Sequence, residues 1–248
     1  EYEMRDSSGY SIPHTGNDLN MIYSLNANNR INSRRIESYI QDTWKFSSAN
    51  ENTLFTLNYG ARISHWSYNK ETIVSPRISL VVIPSFNKNI TLRLATGVYY
   101  QAPFFKELRD TTSTNGITTV SLNNKIKSQK SIHIIAGMDY RFNVANSPFK
   151  FSADAYYKIL SNLIPYSVNN VKVVYDGRNE ASGHAAGIDF KLYGEFVPNT
   201  NSWITLSLMN TKMNIKDYSV PLPTDQRYAI NLFYTDYFPG TDKWKMSL

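Results

Sequence analysis

The sequence predicts an all-β fold, a transmembrane antiparallel β-barrel of which about ten strands lie in this chain. Three observations lead there. Apolar residues recur at every second position, the alternating stretches run about 10 to 12 residues, and short connections between them alternate with long ones. A tilted strand needs roughly 9 to 11 residues to cross a bilayer, whereas the average strand of a globular protein has about 5 to 6.

The first segment, residues 36–46, carries Ile36, Ile40, Trp44 and Phe46 on one parity, interrupted by Asp42. In 53–66, Phe55, Leu57, Tyr59, Ala61 and Ile63 oppose Thr56, Asn58, Gly60, Arg62 and Ser64. Parity switches in 74–83, where Pro76, Ile78, Leu80 and Val82 oppose Ser75, Arg77 and Ser79. In 90–101, Leu92, Leu94, Val98 and Tyr100 oppose Thr91, Arg93, Gly97 and Gln101. Segments 130–142, 149–160 and 183–196 repeat the scheme, and 203–211, 226–237 and a stub at 243–248 close it. Apart from Asp42, and Lys130 and Asp236 at segment ends, the apolar parity is free of charge. The other parity holds Arg62, Arg77, Arg93, Asp139, Arg141, Lys150, Asp154, Lys158, Asp189, Lys191, Glu195 and Arg227. A Lys or Arg facing lipid costs about 2–4 kcal/mol at mid-depth, which accounts for the segregation. Leu92, Ile134 and Phe190 are therefore expected to look outward with no second protein layer over them.

Tight links fall at 48–52, 85–89, 143–148, 198–202 and 239–242, and long excursions at 101–127, 160–182 and 211–225, with 67–73 modest. Short turns at one end and long loops at the other are the asymmetry of an outer-membrane barrel. Trp44, Trp66, Tyr68, Tyr100, Phe142, Tyr157, Trp203, Tyr237, Phe238 and Trp244 gather near strand ends, as interfacial girdles require.

Composition excludes much else. With 248 residues, 42% apolar and 14% aromatic, the chain is long and apolar enough for one or two domains and unlike a disordered one. The absence of Cys rules out disulfides, thiolate zinc sites and a cysteine nucleophile. No run approaches the roughly 20 apolar residues of a membrane helix. Lys and Arg total 26 against 20 Asp and Glu, but they are scattered, with Arg34-Arg35 the densest spot, so no nucleic-acid partner is expected. Residues 1–6 lack the blocks of a signal peptide, so either the mature protein begins here or the piece comes from something longer. An unpaired strand edge in hydrocarbon leaves backbone groups unsatisfied at several kcal/mol each. About ten strands are therefore expected to close with others, making 1–248 a partial outer-membrane barrel.

Several motifs carry a resemblance. IQDTW at 40–44, NYGARISHWSYNKE at 58–71, SPRISL at 75–80, RLATGVYYQAPFFKELRD at 93–110, YDGRNEASGHAAGIDFKLYGEF at 175–196 and PTDQR at 223–227 resemble the barrel of TonB-dependent outer-membrane receptors. The similarity covers most of the chain and is closest to receptors with an N-terminal carboxypeptidase-like regulatory domain. It implies the C-terminal portion of a 22-stranded barrel, a plug folded inside it, coupling to TonB through a TonB box, and energised uptake of a large solute. Plug, box and regulatory domain are expected outside this sequence. Implied partners are outer-membrane lipid, the remaining barrel and plug, TonB, and in some such receptors a surface lipoprotein. Siderophore, cobalamin, glycan and peptide cargoes are not separated by these residues.

For such a role the working surfaces are the lumen and the long loops. Arg62, Arg77, Arg93 and Arg227 are expected to face the lumen or plug together with Asp139, Asp154 and Asp189. They form either a basic ladder for plug carboxylates or an anionic solute, or a wall network that also takes in Glu195 and contacts no cargo. Gln101, Phe104, Phe105, Lys106 and Arg109 open the longest loop and are candidate ligand contacts, as are Tyr166, Tyr175, Arg178 and Asn179. Pro103, Phe104 and Phe105 read equally well as loop packing. Two other readings stand beside transport: a barrel scaffolding a surface complex, and a barrel hydrolase. His14, His65, His133 and His184 are the available histidines. His133 shares its face with Asp139 about 20 Å along the strand, too far to pair, while a cross-strand Asp154 stays open. Without a GxSxG elbow, a metal-spaced His pair or a phosphate loop, no catalytic residue, metal or cofactor is expected.

Overall fold

The computed structural model describes residues 24–26, 29–48, 52–114, 117–169, 172–222, 225–241 and 243–248. His14, residues 1–6, Pro223, Thr224 and Asp242 lie outside them. Along the chain, β1 (Ser24–Asn26) precedes the long strands β2 (Arg35–Ser47), β3 (Leu54–Trp66), β4 (Glu71–Ile83) and β5 (Ile90–Gln101). A hairpin of β6 (Arg109–Thr114) and β7 (Ile117–Leu122) leads to β8 (Gln129–Val144) and β9 (Ser147–Leu163). The hairpin β10 (Tyr166–Asn169) and β11 (Lys172–Tyr175) leads to β12 (Ala181–Gly194), β13 (Ser202–Ile215) and β14 (Tyr218–Pro221). The chain ends with β15 (Tyr228–Phe233), β16 (Thr235–Tyr237) and β17 (Lys245–Ser247).

Ten strands form one sheet in the order β14-β13-β12-β9-β8-β5-β4-β3-β2, with β15 also paired to β13. Every pairing in it is antiparallel. The register aligns the apolar parities of neighbours, as in Leu94↔Ala136, Ile134↔Tyr157 and Phe190↔Leu206. Side chains alternate across the pleat, so this register collects nearly all charges on one face.

Burial is inverted relative to a soluble domain. Leu94 is 56% and Ile134 52% exposed on the apolar face, while Thr91 is 8% and Asp139 6% exposed on the polar one. Leu92 is exposed as well, and Phe190 half-buried. Among the described residues no second layer covers the greasy side, which is the arrangement a lipid-facing sheet needs. The buried apolar cluster lies instead among the long connections: Trp66, Leu108, Ile126 and Ile164, with Tyr68, Leu122 and Tyr175 packed against it.

Three differences from the sequence reading have causes in the neighbouring strands and loops. The strand expected at 226–237 is split at Tyr234, because β13 begins at Ser202. The Thr235 N–H meets the Ser202 hydroxyl at 2.9 Å, and β16 pairs with β17 instead. The excursions at 101–127 and 160–182 are built around hairpins, and part of 211–225 extends β13 against β14. Trp66 does not join a girdle, since it lies on the polar parity and is buried under the loops. Asp42 shares the apolar face with Trp44, and its carboxylate accepts from the Tyr59 hydroxyl at 2.9 Å. The aromatic belt is clearest at the short-turn end, where Trp44 packs tilted against Phe46 and Phe46 stacks on Phe55, and where Tyr140, Phe142 and Phe149 stack in sequence. There β8 turns into β9 through Ala145 (φ 48°) and Asn146 (φ 68°), a two-residue hairpin with both central residues left-handed.

Candidate functional site

The polar face carries two rows of charge about 13 Å apart along the strands. Nearer the short turns, the row runs Val81, Arg93, Gly137, Asp154, Asp189 and Ser207 across β4, β5, β8, β9, β12 and β13. Arg93 donates to Asp154 at 2.8 Å and to Asp139, which Lys150 also approaches at 3.2 Å. Two cations thus meet two anions, and the wall neutralises itself. Gly137 makes the geometry possible. A Cβ there would sit 2.0 Å from an Asp154 oxygen and 2.9 Å from an Arg93 nitrogen.

The second row, nearer the long loops, runs Gly60, Arg77, Gly97, His133, Lys158 and Ala185. The Arg77 guanidinium lies 4.4 Å from the centre of the Tyr99 ring, and that ring stacks on His133 at 4.3 Å. Lys158 is directly opposite His133 in register and sits 5.1 Å from the Tyr156 ring. Among the described residues no carboxylate lies within 4 Å of Arg77 or Lys158. A hollow of about 580 Å³ opens beside this row, with Arg62, Arg77, Ser79, Asn58 and Tyr99 in its lining.

Above the sheet the long connections lock together. Glu71 accepts from the Ser128 hydroxyl at 2.6 Å, the Ser128 N–H at 3.0 Å and the Asn69 amide at 3.1 Å. Asn179 accepts from the Lys127 N–H at 2.7 Å and donates to the carbonyls of Lys127 and Asn162. Glu107 takes the Phe104 N–H at 2.7 Å and the Gln129 amide at 3.3 Å. Burial raises the Tyr68 phenol above its ordinary value at the edge of this cluster. In the 211–225 connection, the Thr211 N–H leads a set of contacts that hold Asp225 below the usual carboxylate range, with the Thr211 hydroxyl and Arg227 assisting.

The candidate residues distribute as follows. Pro103, Glu107 and Leu108 are buried and anchor their loop, while Gln101, Phe104, Phe105, Lys106 and Arg109 are exposed around them. The Arg109 guanidinium lies 5.1 Å from the Phe105 ring centre. Tyr166 and Tyr175 face each other at 5.6 Å, and Arg178 reaches Asp110 and Glu180 only at 3.8 Å. The arginine ladder resolves into different environments. Arg62 pairs with Glu37, Arg93 with Asp139 and Asp154, Arg227 with Asp225, and Arg77 with none among the described residues. Among the described residues Asp189 stands opposite Asp154 without a cation within 4 Å, and Glu195 accepts the Asn199 N–H at 3.5 Å with no cation within 4 Å, so neither joins the network. Asp154 stands opposite Gly137, not His133, and a hydrolytic His–Asp pair does not form there. His65 bonds Thr72 at 2.9 Å, and His184 stacks near Tyr157.

Glu71 and Tyr99 are not singled out by sequence, Asn179 is marked there only as part of a candidate ligand loop, and Lys158 only as one charge of the polar parity. Their roles depend on partners up to 57 residues away, as in Glu71 with Ser128. The alternation did place Tyr99 and Lys158 on the charged parity, and that is the signal that could have found them. Among the described residues no group of three or more His, Asp or Glu is arranged to hold a metal ion.

Compared with known families, residues 1–248 match the one described as TonB dependent receptor-like, beta-barrel. Comparison with curated proteins finds no match.

Proposed function

The chain belongs to the TonB-dependent receptor-like β-barrel family, and from that premise we propose that it forms part of the barrel of a receptor that takes up a large solute with energy delivered through TonB. Membership implies a place in the outer membrane of a Gram-negative cell, with lipid against the apolar face and a plug and TonB as partners. The observation that carries the reading is the single-layered sheet, oily outside and charged inside, capped at its long-loop end by a bonded platform that leaves Phe104, Phe105, Lys106 and Arg109 exposed. A rigid scaffold presenting open loop side chains suits capture from the medium. A charged, ion-paired wall suits a hydrated bore.

In this reading the exposed aromatics and cations of the 101–110 segment make first contact, together with Tyr166, Tyr175 and Arg178. Polar residues on the inner face then line the passage beside the plug. Energy input is needed because a plug that seals the bore must rearrange before a solute passes. The test is uptake of a panel of labelled siderophores, cobalamin, glycans and peptides by cells with and without the gene. Loss of one solute on deletion, restored by the intact gene and abolished by dissipating the inner-membrane proton gradient, is expected. Unchanged uptake across the panel would favour a surface scaffold instead.

A further inference from the structure

The lipid-facing parity is not uniformly apolar from end to end. Between β2 and β13 its acidic and basic side chains are Asp42, His65, Lys130, His184 and Lys212. Asp42 is the single acid, and the Tyr59 hydroxyl donates to it. The four basic residues all stand at the long-loop ends of their strands, and none stands at a short-turn end. A Lys or Arg on the lipid side costs about 2–4 kcal/mol at mid-depth but only about 0–1 kcal/mol near an interface. That gradient keeps cations off the middle of the sheet, yet it does not choose one rim over the other. Three of the four gather on neighbouring strands. His184 lies directly opposite Lys212, and its ring stacks near Tyr157 at 6.0 Å. Lys130 stands across β9 from His184 and two residues nearer the loops, which strand spacing converts to about 12 Å. Among the described residues no carboxylate lies within 4 Å of Lys130 or Lys212. Glu180, just before β12, faces Arg178 at 3.8 Å instead. Toward mid-sheet the same face continues as exposed Ile159, Ile188 and Leu208.

We propose that Lys130, His184 and Lys212 form a binding site for an outer-leaflet lipid that carries two phosphates above several acyl chains. This rests on the outer-membrane placement and is independent of uptake. In a barrel of this kind the long loops lie outside, so the basic rim meets the outer leaflet. Two basic poles, Lys130 on one side and the His184–Lys212 pair on the other, are held apart by a hydrogen-bonded sheet. That spacing suits two anionic groups on one headgroup, whereas a single phosphate engages one pole and leaves the other unanswered. Each ammonium reaches a phosphate oxygen through a charge-assisted hydrogen bond, and the His184 ring N–H adds a donor. Ser161, opposite Lys130, and Asn214, two residues beyond Lys212, supply uncharged donors on the same parity. The acyl chains then run down Ile159, Ile188 and Leu208, so one molecule satisfies both the charge at the rim and the oil beneath it.

The experiment is native mass spectrometry of the purified full-length receptor in detergent, supplied in turn with bisphosphorylated lipid A, its dephosphorylated form and phosphatidylglycerol. Retention of the bisphosphorylated lipid well above the other two is expected. Lys130→Gln and Lys212→Gln should each lower that retention about tenfold, the scale of one hydrogen bond to a charged group. Lys130→Arg should keep it, and Lys45→Gln, on the lumen parity at the short-turn end, should change nothing. Melting curves should match the parent, since the altered side chains lie at the surface. If a variant melts early, the dephosphorylated lipid decides the question with the protein unaltered. Equal retention of that lipid would remove the phosphates from recognition and overturn the proposal. Equal retention of phosphatidylglycerol would reduce the site to a general anionic rim and overturn it too, as would unchanged retention in Lys130→Gln/Lys212→Gln. Retention is read without transport, so a failed uptake assay and a failed lipid site are told apart.

Discussion

Two rows on the same face of the same sheet, four residues apart on each strand, use charge in opposite ways. In the row of Arg93 and Asp154, every cation is answered from a neighbouring strand, and Gly137 lets the partners touch. In the row of Arg77 and Lys158, rings take the place of carboxylates, and among the described residues no acid lies within 4 Å of either cation. The difference teaches that a count of lumen charges says little about binding. What matters is which charges the wall has already satisfied.

The comparison has meaning only if both rows face away from lipid, and that premise carries the largest expected effect. Ile134→Lys, on the opposite parity at mid-sheet, should cost about 2–4 kcal/mol in urea unfolding of the vesicle-embedded receptor. A cost near zero would place the apolar face in water and remove the basis for both rows. The next effect separates the rows themselves. Arg93→Leu leaves Asp139 and Asp154 short of a partner and should destabilise by about 1–3 kcal/mol, reduced from a fully buried pair because Arg93 is partly exposed. Arg77→Leu breaks no ion pair among the described residues and should change stability by about 0.5 kcal/mol or less. Equal losses at the two sites would erase the distinction.

A finer test uses the glycines. Gly137→Ala drives a methyl into Asp154 and Arg93 and should cost about 1–3 kcal/mol by overpacking. Gly97→Ala meets its neighbours at 3.1–3.2 Å and should cost less, since the Arg77 stem can shift. Thermal melting of the two variants side by side reads the contrast. The smallest effect extends the comparison to the loops, where Asp225 is a carboxylate fully answered by Thr211 and Arg227. Its folded value lies below the ordinary 3.8. Its contribution to stability is therefore complete above that value and is lost as pH falls from there through the depressed one. The melting difference between the parent and Asp225→Asn should persist at neutral pH and shrink only in that acid window. A difference that shrank between pH 6 and 8 would point to another group.

Much of this was legible in the sequence. The segment 90–101 is a strand with the bounds expected of it, and the parity of Leu92 and Leu94 against Thr91 and Arg93 fixes which face each occupies. The exposed run from Phe104 to Lys106 was marked as a loop surface, yet its anchoring by Pro103, Glu107 and Leu108 was not, since burial there depends on Trp66, Ile126 and Ile164 arriving from other connections. Trp66 was misread for the same reason: closeness to a strand end suggests an interface, but the loops fold over that end. The break at Tyr234 depends on where the neighbouring strand starts, and no local pattern records that.

Period-two alternation, strand length and the sorting of turns were determined by the sequence alone, because each follows from the geometry of one extended strand and the medium it must face. The pairing of Arg93 with Asp139 and Asp154, and the setting of Arg77 and Lys158 on aromatic rings, were decided only by the tertiary structure. Those outcomes depend on register between strands distant in the chain, and a shift of two residues would keep every parity while exchanging every partner.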